Sequence, residues 1–212
     1  MIRFWPILIL IAAMAGCAAP RSPHWSQKWS PLFDGKTMNH WVVTDFAGHG
    51  DVGVTNGEIK IDMGADLSGI TWTNGTLPRT NYEISLEAMK IDGGDFFCGL
   101  TFPVAESSCS LIMGGWGGGV VGLSSLDDAD ASENETTRSM SFDNGHWYHI
   151  VLRVTPGKIE AWLDEQKIID ASIAGRKVSL RPGAIYLSEP LGVATYITTS
   201  AIKDFKLRLI EP

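Results

Sequence analysis

The sequence is poor in cysteine, in basic charge and in long apolar runs, and these shortages narrow its possible class. Only three cysteines occur among the 212 residues, so at most one disulfide can form within the chain. The 17 basic residues are outnumbered by 24 acidic ones, for a net charge of −7. An acidic balance argues against nucleic acid as a partner. No apolar run reaches the roughly 20 residues that a membrane-spanning helix needs.

The N-terminal segment resembles the signal peptide of a bacterial lipoprotein. A basic Arg3 precedes an apolar run over residues 4–13, which is too short to span a bilayer. Residues 14–17, Met-Ala-Gly-Cys, are similar to a lipobox with methionine in place of the usual leucine. We therefore expect a signal peptide over residues 1–16, lipidation of Cys17, and a tether over residues 17–28. The alternative is an ordinary signal peptide with a chance cysteine.

These features predict a protein of the bacterial cell envelope. A lipid on Cys17 would anchor it to the membrane, facing either the periplasm or the exterior. With Cys17 lipidated, Cys98 and Cys109 remain as a pair in a compartment where disulfides persist. We predict a disulfide between these two residues, and the alternative is two buried thiols.

The rest of the chain, residues 29–212, is punctuated like a β protein. It carries no long apolar pattern of helical period, and turn signals recur among the chain's 23 glycines. Asn56-Gly57 predicts a hairpin between residues 52–55 and 58–63. Residues 81–90 alternate, with Tyr82, Ile84, Leu86 and Ala88 on one face and Glu83, Ser85, Glu87 and Met89 on the other. Further strands are predicted at residues 96–102, 110–113, 120–124, 146–155, 158–164, 167–171, 184–188 and 201–210, and a polar surface loop at 127–138.

Short strands at this spacing indicate a sandwich or a barrel, and four segments narrow the choice. Residues 29–36, closed by Trp41, look like an "LFDGK…W" block. Residues 56–58 resemble the hairpin that follows it. Residues 145–151 through 161–164 are similar to a "GeWN…I…v…wlNG" strand pair, and residues 202–207 to an "FRNI" closing strand. In this order the segments resemble the 3-keto-disaccharide hydrolase family.

This resemblance implies a fold, an activity and a location. The fold would be one all-β domain over residues 29–212, a two-sheet jelly-roll sandwich of the concanavalin A-like lectin/glucanase type. The activity would be cleavage or hydration of 3-keto glycosides by an exported or lipid-anchored protein. Glu87 matches the family's acid on the first long strand. However, only Gly99 matches the Asn-Ser-Gly block that should follow, and Pro103 stands where the family has arginine.

Carboxylates are the candidate catalytic groups. Glycoside cleavage generally uses two carboxyl groups about 5–9.5 Å apart, whereas Glu83 and Glu87 would lie roughly 13 Å apart along one strand. Glu87 would therefore need a partner from another strand, with Glu160, Asp164 and Glu189 as possibilities. We take Glu87 and Glu189 as the catalytic candidates. The alternative is that these carboxylates are simply solvated.

Two tryptophans and a histidine are the candidate contacts with a saccharide. Trp116 lies in a glycine-rich segment, where its ring could stack on the apolar face of a sugar, and Trp72 could act likewise. His49, beside Asp51 in a glycine-flanked loop, could act as an acid or a base. Against this, most of the eight tryptophans must pack inside the domain.

No metal and no cofactor are expected. His146 and His149 are three residues apart on a predicted strand, so they point to opposite faces and cannot readily share an ion. Calcium is compatible with a lectin-like sandwich, but no ligand cluster requires it. Three functions stay open: an enzyme acting on 3-keto glycosides or related disaccharides, a glycan-binding module, and a structural domain without a sugar ligand. The expected partners are a saccharide and, through the lipid, a membrane.

Overall fold

A computed structural model describes residues 25–211 and contains two antiparallel β-sheets packed face to face. The predicted all-β sandwich is therefore confirmed. The strands are β1 Ser30–Pro31, β2 Trp41–Val43, β3 Val52–Thr55, β4 Glu58–Ile61, β5 Leu67–Trp72, β6 Tyr82–Gly93, β7 Cys98–Val104, β8 Ser107–Gly114, β9 Val120–Ser124, β10 Arg138–Ser139, β11 Trp147–Val154, β12 Lys158–Leu163, β13 Gln166–Ser172, β14 Gly192–Tyr196 and β15 Thr198–Leu209. A helical turn, α1, covers Gly115–Gly118, and a 3-10 helix covers Ala184–Ser188.

Sheet A has eight strands in the order β13-β12-β11-β6-β15-β4-β3, with β1 also pairing with β15. The central strand β6 shows why the chain forms this sheet. Its apolar residues Tyr82, Ile84, Leu86 and Ala88 alternate with polar ones, and all four are fully buried against sheet B. This is the alternation that the sequence predicts, because successive side chains of a strand point to opposite faces.

Sheet B has seven strands in the order β10-β9-β8-β7-β14-β5-β2. Its inward positions on β7 and β8 carry Cys98, Leu100, Phe102, Cys109, Leu111 and Met113, all of which are fully buried. Apart from Ile112, the outward positions between them carry smaller or more polar residues. Sheet B therefore supplies one wall of the core with its inner face and leaves its outer face for other contacts.

The structure departs from the predicted strands at one element and adds others. Residues 184–188, predicted as a strand, form the 3-10 helix that packs on β5 and β14. A short apolar run does not by itself distinguish a strand from a helical turn. The sequence patterns also missed the short strands β1, β2 and β10, the last of which overlaps the end of the predicted loop, as well as β5 and β14. In β5 and β14 small or polar residues such as Gly69 and Thr195 are buried beside apolar ones, so no clear alternation marks them.

The predicted disulfide is wrong, because Cys98 and Cys109 are separate, buried thiols. On the paired strands β7 and β8, Cys98 lies opposite Met113, whereas Cys109 lies opposite Phe102. This register offsets the two cysteines by four residues, or about 13 Å at the usual rise of a strand. A disulfide requires Cα atoms within about 7 Å.

The domain begins before residue 29. The Trp25 indole donates a hydrogen bond to the Thr76 carbonyl at 3.0 Å, and the Ser26 carbonyl accepts one from the Leu209 amide at 2.8 Å. The last part of the predicted tether therefore contacts the sandwich. The predicted signal peptide and Cys17 lie outside the described residues. Within residues 25–211, no helix is long and apolar enough to span a bilayer.

Candidate functional site

A pocket of about 600 Å³ lies on the outer face of sheet B, the face turned away from sheet A. Volumes of a few hundred Å³ or more are typical of small-molecule sites. The outward side chains of β8 and β9 face it, and loops at both ends of these strands and the start of the 3-10 helix close its sides. Its lining residues are Phe46, Ala47, Asp66, Leu67, Asp95, Phe96, Ser110, Ile112, Trp116, Ser124, Arg181, Pro182, Gly183, Ala184, Ile185 and Tyr196.

Two glycines of sheet B let aromatic rings that line the pocket lie close to the sheet. A Cβ at Gly99 would lie only 3.0 Å from Cε2 of Phe96, and one at Gly69 would lie 3.2 Å from Cε2 of Phe46. Such distances are too short for ordinary packing. Gly99 is also the one residue that matches the family's Asn-Ser-Gly block. Its physical role here is to make room for the Phe96 ring.

The aromatic walls come from two sides. Phe96 and Tyr196 stack with ring centroids 5.9 Å apart and an angle of 25° between their planes. The backbones beside these rings are also joined, because the Tyr196 amide donates to the Phe96 carbonyl at 3.0 Å. Trp116 stands at another part of the wall and is 40% exposed, so its indole is accessible from solvent.

Trp116 is presented by the glycine-rich connection between β8 and β9. Gly114, Trp116, Gly117 and Gly118 all have positive φ, at 81°, 50°, 84° and 99°. Glycine adopts this left-handed region freely, but a residue with a Cβ does not. The surrounding glycines thus permit the tight path of this connection, and Trp116 itself occupies an unfavourable conformation.

Three charged residues line the pocket, and two of them are already engaged. The Asp95 carboxylate accepts hydrogen bonds from the amides of Phe96 and Gly117, both at 2.8 Å. The Arg181 guanidinium pairs with Asp130 at 3.1 Å and lies over the Trp116 ring, 5.5 Å from its centroid. Among residues 25–211, the exposed Asp66 carboxylate makes no hydrogen bond or ion pair, so both of its oxygens are available to a ligand.

A further carboxylate, Asp130, connects the lining residue Ser124 to Arg181. Its Oδ1 accepts a hydrogen bond from the Ser124 hydroxyl at 2.6 Å, and its Oδ2 faces Nε of Arg181. The Asp130 side chain is only 14% exposed. This network occupies both carboxylate oxygens, so it favours a role in holding Arg181 in place.

The predicted catalytic pair is not brought together. Glu87 projects from β6 on the outer face of sheet A, opposite His149 and Lys203 on the neighbouring strands, and it pairs with Lys203 at 3.2 Å. Glu189 is exposed and follows the 3-10 helix, which packs on strands of sheet B. The two glutamates therefore belong to opposite sides of the sandwich, and neither lines the pocket.

Of the three residues predicted to contact a saccharide, one lines the pocket and two do not. Trp116, a predicted saccharide contact, lines the pocket, whereas Trp72 is 4% exposed and packs edge-on against Trp41 with centroids 5.2 Å apart. Its indole N–H donates to the Asn74 carbonyl at 2.8 Å, so Trp72 offers no surface to a saccharide. His49 is exposed near Phe46, its Nδ1 lies 2.8 Å from the Gly50 carbonyl, and it does not line the pocket.

Sequence patterns missed Asp66, Asp95, Phe96, Tyr196 and Arg181, which come from four separate segments of the chain and match no motif. The one sequence feature that pointed to this region was Gly99, which the Phe96 ring covers. Within the described part of the chain, no group of three or more His, Cys, Asp or Glu residues is arranged to hold a metal ion.

Comparison with known protein families identifies one family whose model matches most of this chain. Residues 28–208 match the model of a family described as the 3-keto-alpha-glucoside-1,2-lyase-like domain. This match confirms the resemblance that the sequence motifs indicate. No curated protein matches the chain in sequence.

Solved structures with a similar fold share little sequence with this chain. The carbohydrate binding module CBM66 from Bacillus subtilis has a TM-score of 0.54 at 13% identity, covering 80% of this chain and 95% of the module. A glycosyl hydrolase candidate from Parabacteroides distasonis has a TM-score of 0.54 at 14% identity, covering 87% and 95%. Domain 4 of the arabinanase AbnA from Geobacillus stearothermophilus, solved with arabinotriose, has a TM-score of 0.51 at 12% identity, covering 80% and 82%. At such identities the likeness shows the fold alone.

Proposed function

Because the chain belongs to the 3-keto-alpha-glucoside-1,2-lyase-like domain family, we propose that the pocket on the outer face of sheet B binds a saccharide. The observation that carries this proposal is the exposed Trp116 ring in the wall of a pocket of about 600 Å³ that Phe96 and Tyr196 also line. Aromatic rings supply a large apolar contact area, and one face of a sugar ring carries C–H groups that pack on such a surface. The hydroxyl groups of a saccharide would find Asp66, Ser110 and Arg181 around them.

A second candidate is catalysis on a 3-keto glycoside, which the family match favours. A base that removes the proton beside the 3-keto group would leave electrons to expel the glycosidic oxygen, which then takes up a proton. Asp66 is the pocket carboxylate with no partner among residues 25–211, so it is our candidate for this base. Glu87 cannot act in the same site, because it lies on the opposite side of the sandwich.

We test both candidates with maltose, sucrose, trehalose and their 3-keto derivatives, measuring affinity by calorimetry and monosaccharide release by chromatography. Binding without release supports a binding module. Release from the keto sugars alone supports the enzyme, and Asp66→Asn should then abolish release while saccharides still bind. If neither occurs with a folded protein, the saccharide proposal fails.

Trp116→Ala should weaken saccharide binding at least about tenfold, which corresponds to about 1.4 kcal/mol, because the stacking surface is lost. Trp147→Ala is the matched control, since Trp147 is a half-buried tryptophan on the outer face of sheet A, with Lys203 over its ring. Binding should be unchanged in that variant. Equal affinities for wild type and Trp116→Ala would place the saccharide elsewhere.

We also propose that the protein is anchored in the bacterial cell envelope through a lipid on Cys17. The motif at residues 14–17 supports this proposal. In bacteria expressing the full chain and fed labelled palmitate, the wild type should carry label and partition with membranes. Cys17→Ser should carry none and be released into a soluble fraction. Label that persists in Cys17→Ser would contradict lipidation at this residue.

A further inference from the structure

Trp116 is held in a conformation that its own chemistry disfavours. Its φ of 50° and ψ of 55° lie in the left-handed region, where a side chain with a Cβ crowds the backbone. A bulky residue remains there only if contacts around it impose the conformation, and such residues are concentrated at functional sites. A contact in its surroundings must therefore hold Trp116 in this conformation.

Asp95 supplies this contact through the residue that follows Trp116. Its Oδ2 accepts a hydrogen bond from the Gly117 amide at 2.8 Å, across 22 positions of sequence. Its Oδ1 accepts one from the Phe96 amide, also at 2.8 Å. One carboxylate thus joins the turn that carries Phe96 to the connection that carries Trp116, which are two walls of the same pocket.

Asp95 is itself fixed to the sandwich. The Thr198 hydroxyl accepts a hydrogen bond from the Asp95 amide at 3.1 Å and donates one to the Asp95 carbonyl at 3.0 Å. Thr198 is fully buried at the start of β15. The chain of contacts therefore runs from the buried Thr198 through Asp95 to the exposed Gly117 amide, next to Trp116.

We propose that Asp95 is a positioning residue of the pocket, which fixes Trp116 in its left-handed conformation so that the indole is ready for a saccharide. This inference rests on the proposed function of the pocket. Fixing a binding surface in advance raises affinity, because the ligand no longer has to order it. Asp95 then governs affinity through Trp116 and not through contact with the ligand.

Amide hydrogen exchange in the free protein tests whether Asp95 holds the connection. In wild type the Gly117 amide should be protected. Asp95→Ala removes both acceptors, and exchange at Gly117 should become at least about tenfold faster. Asp95→Asn keeps one acceptor oxygen and should be intermediate. Asp92→Ala is the matched control, because Asp92 is an exposed residue of the same segment that does not line the pocket. Unchanged exchange in Asp95→Ala would overturn the proposal without any ligand.

A double-mutant cycle tests whether Asp95 acts through Trp116, with 3-ketomaltose and maltose as probes. Asp95→Ala alone should weaken binding about three- to tenfold. In the Trp116→Ala background the same change should have no further effect, since coupled residues are not additive. An equal loss in both backgrounds would mean that Asp95 contacts the saccharide directly, and would overturn the inference.

The two proposals fail in different ways. If Trp116→Ala binds as well as wild type, the proposed saccharide site is wrong. If Trp116→Ala weakens binding but Asp95→Ala does not, the site stands and the positioning role of Asp95 is wrong.

Discussion

At the scale of single residues, the outer face of sheet A contains a buried carboxylate between two arginines. Glu83 has only 2% of its side chain exposed. Arg153 reaches its Oε1 through Nε at 2.7 Å and Nη2 at 2.6 Å, and Arg208 reaches its Oε2 at 2.7 and 2.5 Å. Trp162 lies beside Arg153 and Trp29 beside Arg208, each within about 5 Å of the guanidinium. Glu83 thus joins three strands across the sheet by charge.

We predict that Glu83→Gln lowers the free energy of unfolding by about 2–3 kcal/mol. Removing one partner of a buried ion pair costs about 3–5 kcal/mol, and the arginines, each more than a third exposed, retain some hydration that reduces this cost. Glu87→Gln, four residues along the same strand, should cost about 0–1 kcal/mol because its pair with Lys203 is partly exposed. Urea denaturation measures both. Equal losses of stability in the two variants would contradict the larger cost that we expect at the more buried Glu83.

At the scale of elements, local patterns predicted those strands whose two faces differ. The hairpin at Asn56-Gly57 joins β3 and β4 as expected, and the core face of β11 carries Tyr148, Ile150, Leu152 and Val154. These elements have a polar outer face and an apolar inner face, so alternation marks them. In β5 and β14, however, both faces are covered, and the alternation disappears from the sequence.

The register between paired strands could not be predicted from the sequence patterns. Cys98 and Cys109 occupy apolar positions of two adjacent strands, and that much follows from local pattern. Whether they meet depends on which residues of β7 and β8 pair, and pairing is set by the turn at residues 105–106. The position of Glu87 relative to the pocket could not be predicted either. Alternation places Glu87 on the outer face of its own sheet, but it does not show that the pocket lies on the outer face of the other sheet. The residues around Trp116 come from distant segments, so no linear pattern contains them.

At the scale of the whole molecule, the interior between the two sheets contains one tyrosine hydroxyl and two cysteine thiols whose pKa values are raised by burial. The Tyr82 hydroxyl, on sheet A, donates a hydrogen bond at 2.5 Å to the carbonyl of Pro103, on sheet B. Burial raises the pKa of Tyr82 well above its usual value of 10.0. Burial also raises the pKa of Cys98 and Cys109 from 9.0 to about 12. In all three groups burial therefore favours the protonated form in the folded state.

These raised values predict that the fold weakens in alkali. A group whose pKa is higher in the folded state binds its proton more tightly there, so its stabilising contribution is complete below the unfolded pKa and is lost as pH rises. The losses should begin near pH 9 for the cysteines and near pH 10 for Tyr82. We therefore expect the free energy of unfolding, measured by urea titration, to fall steadily between pH 8.5 and pH 11.

Tyr82→Phe separates the hydrogen bond from the titration. At pH 8 the variant should be less stable by about 1–2 kcal/mol, because the buried Pro103 carbonyl loses its donor. Above pH 10 its stability should fall less steeply than that of wild type, since phenylalanine has no proton to lose, and the two curves should converge. Tyr186→Phe is the matched control, because Tyr186 is 60% exposed and should leave both the stability and its pH dependence unchanged. Parallel curves for Tyr82→Phe and wild type up to pH 11 would mean that Tyr82 has the same pKa in the folded and the unfolded chain, which would contradict a pKa raised by burial.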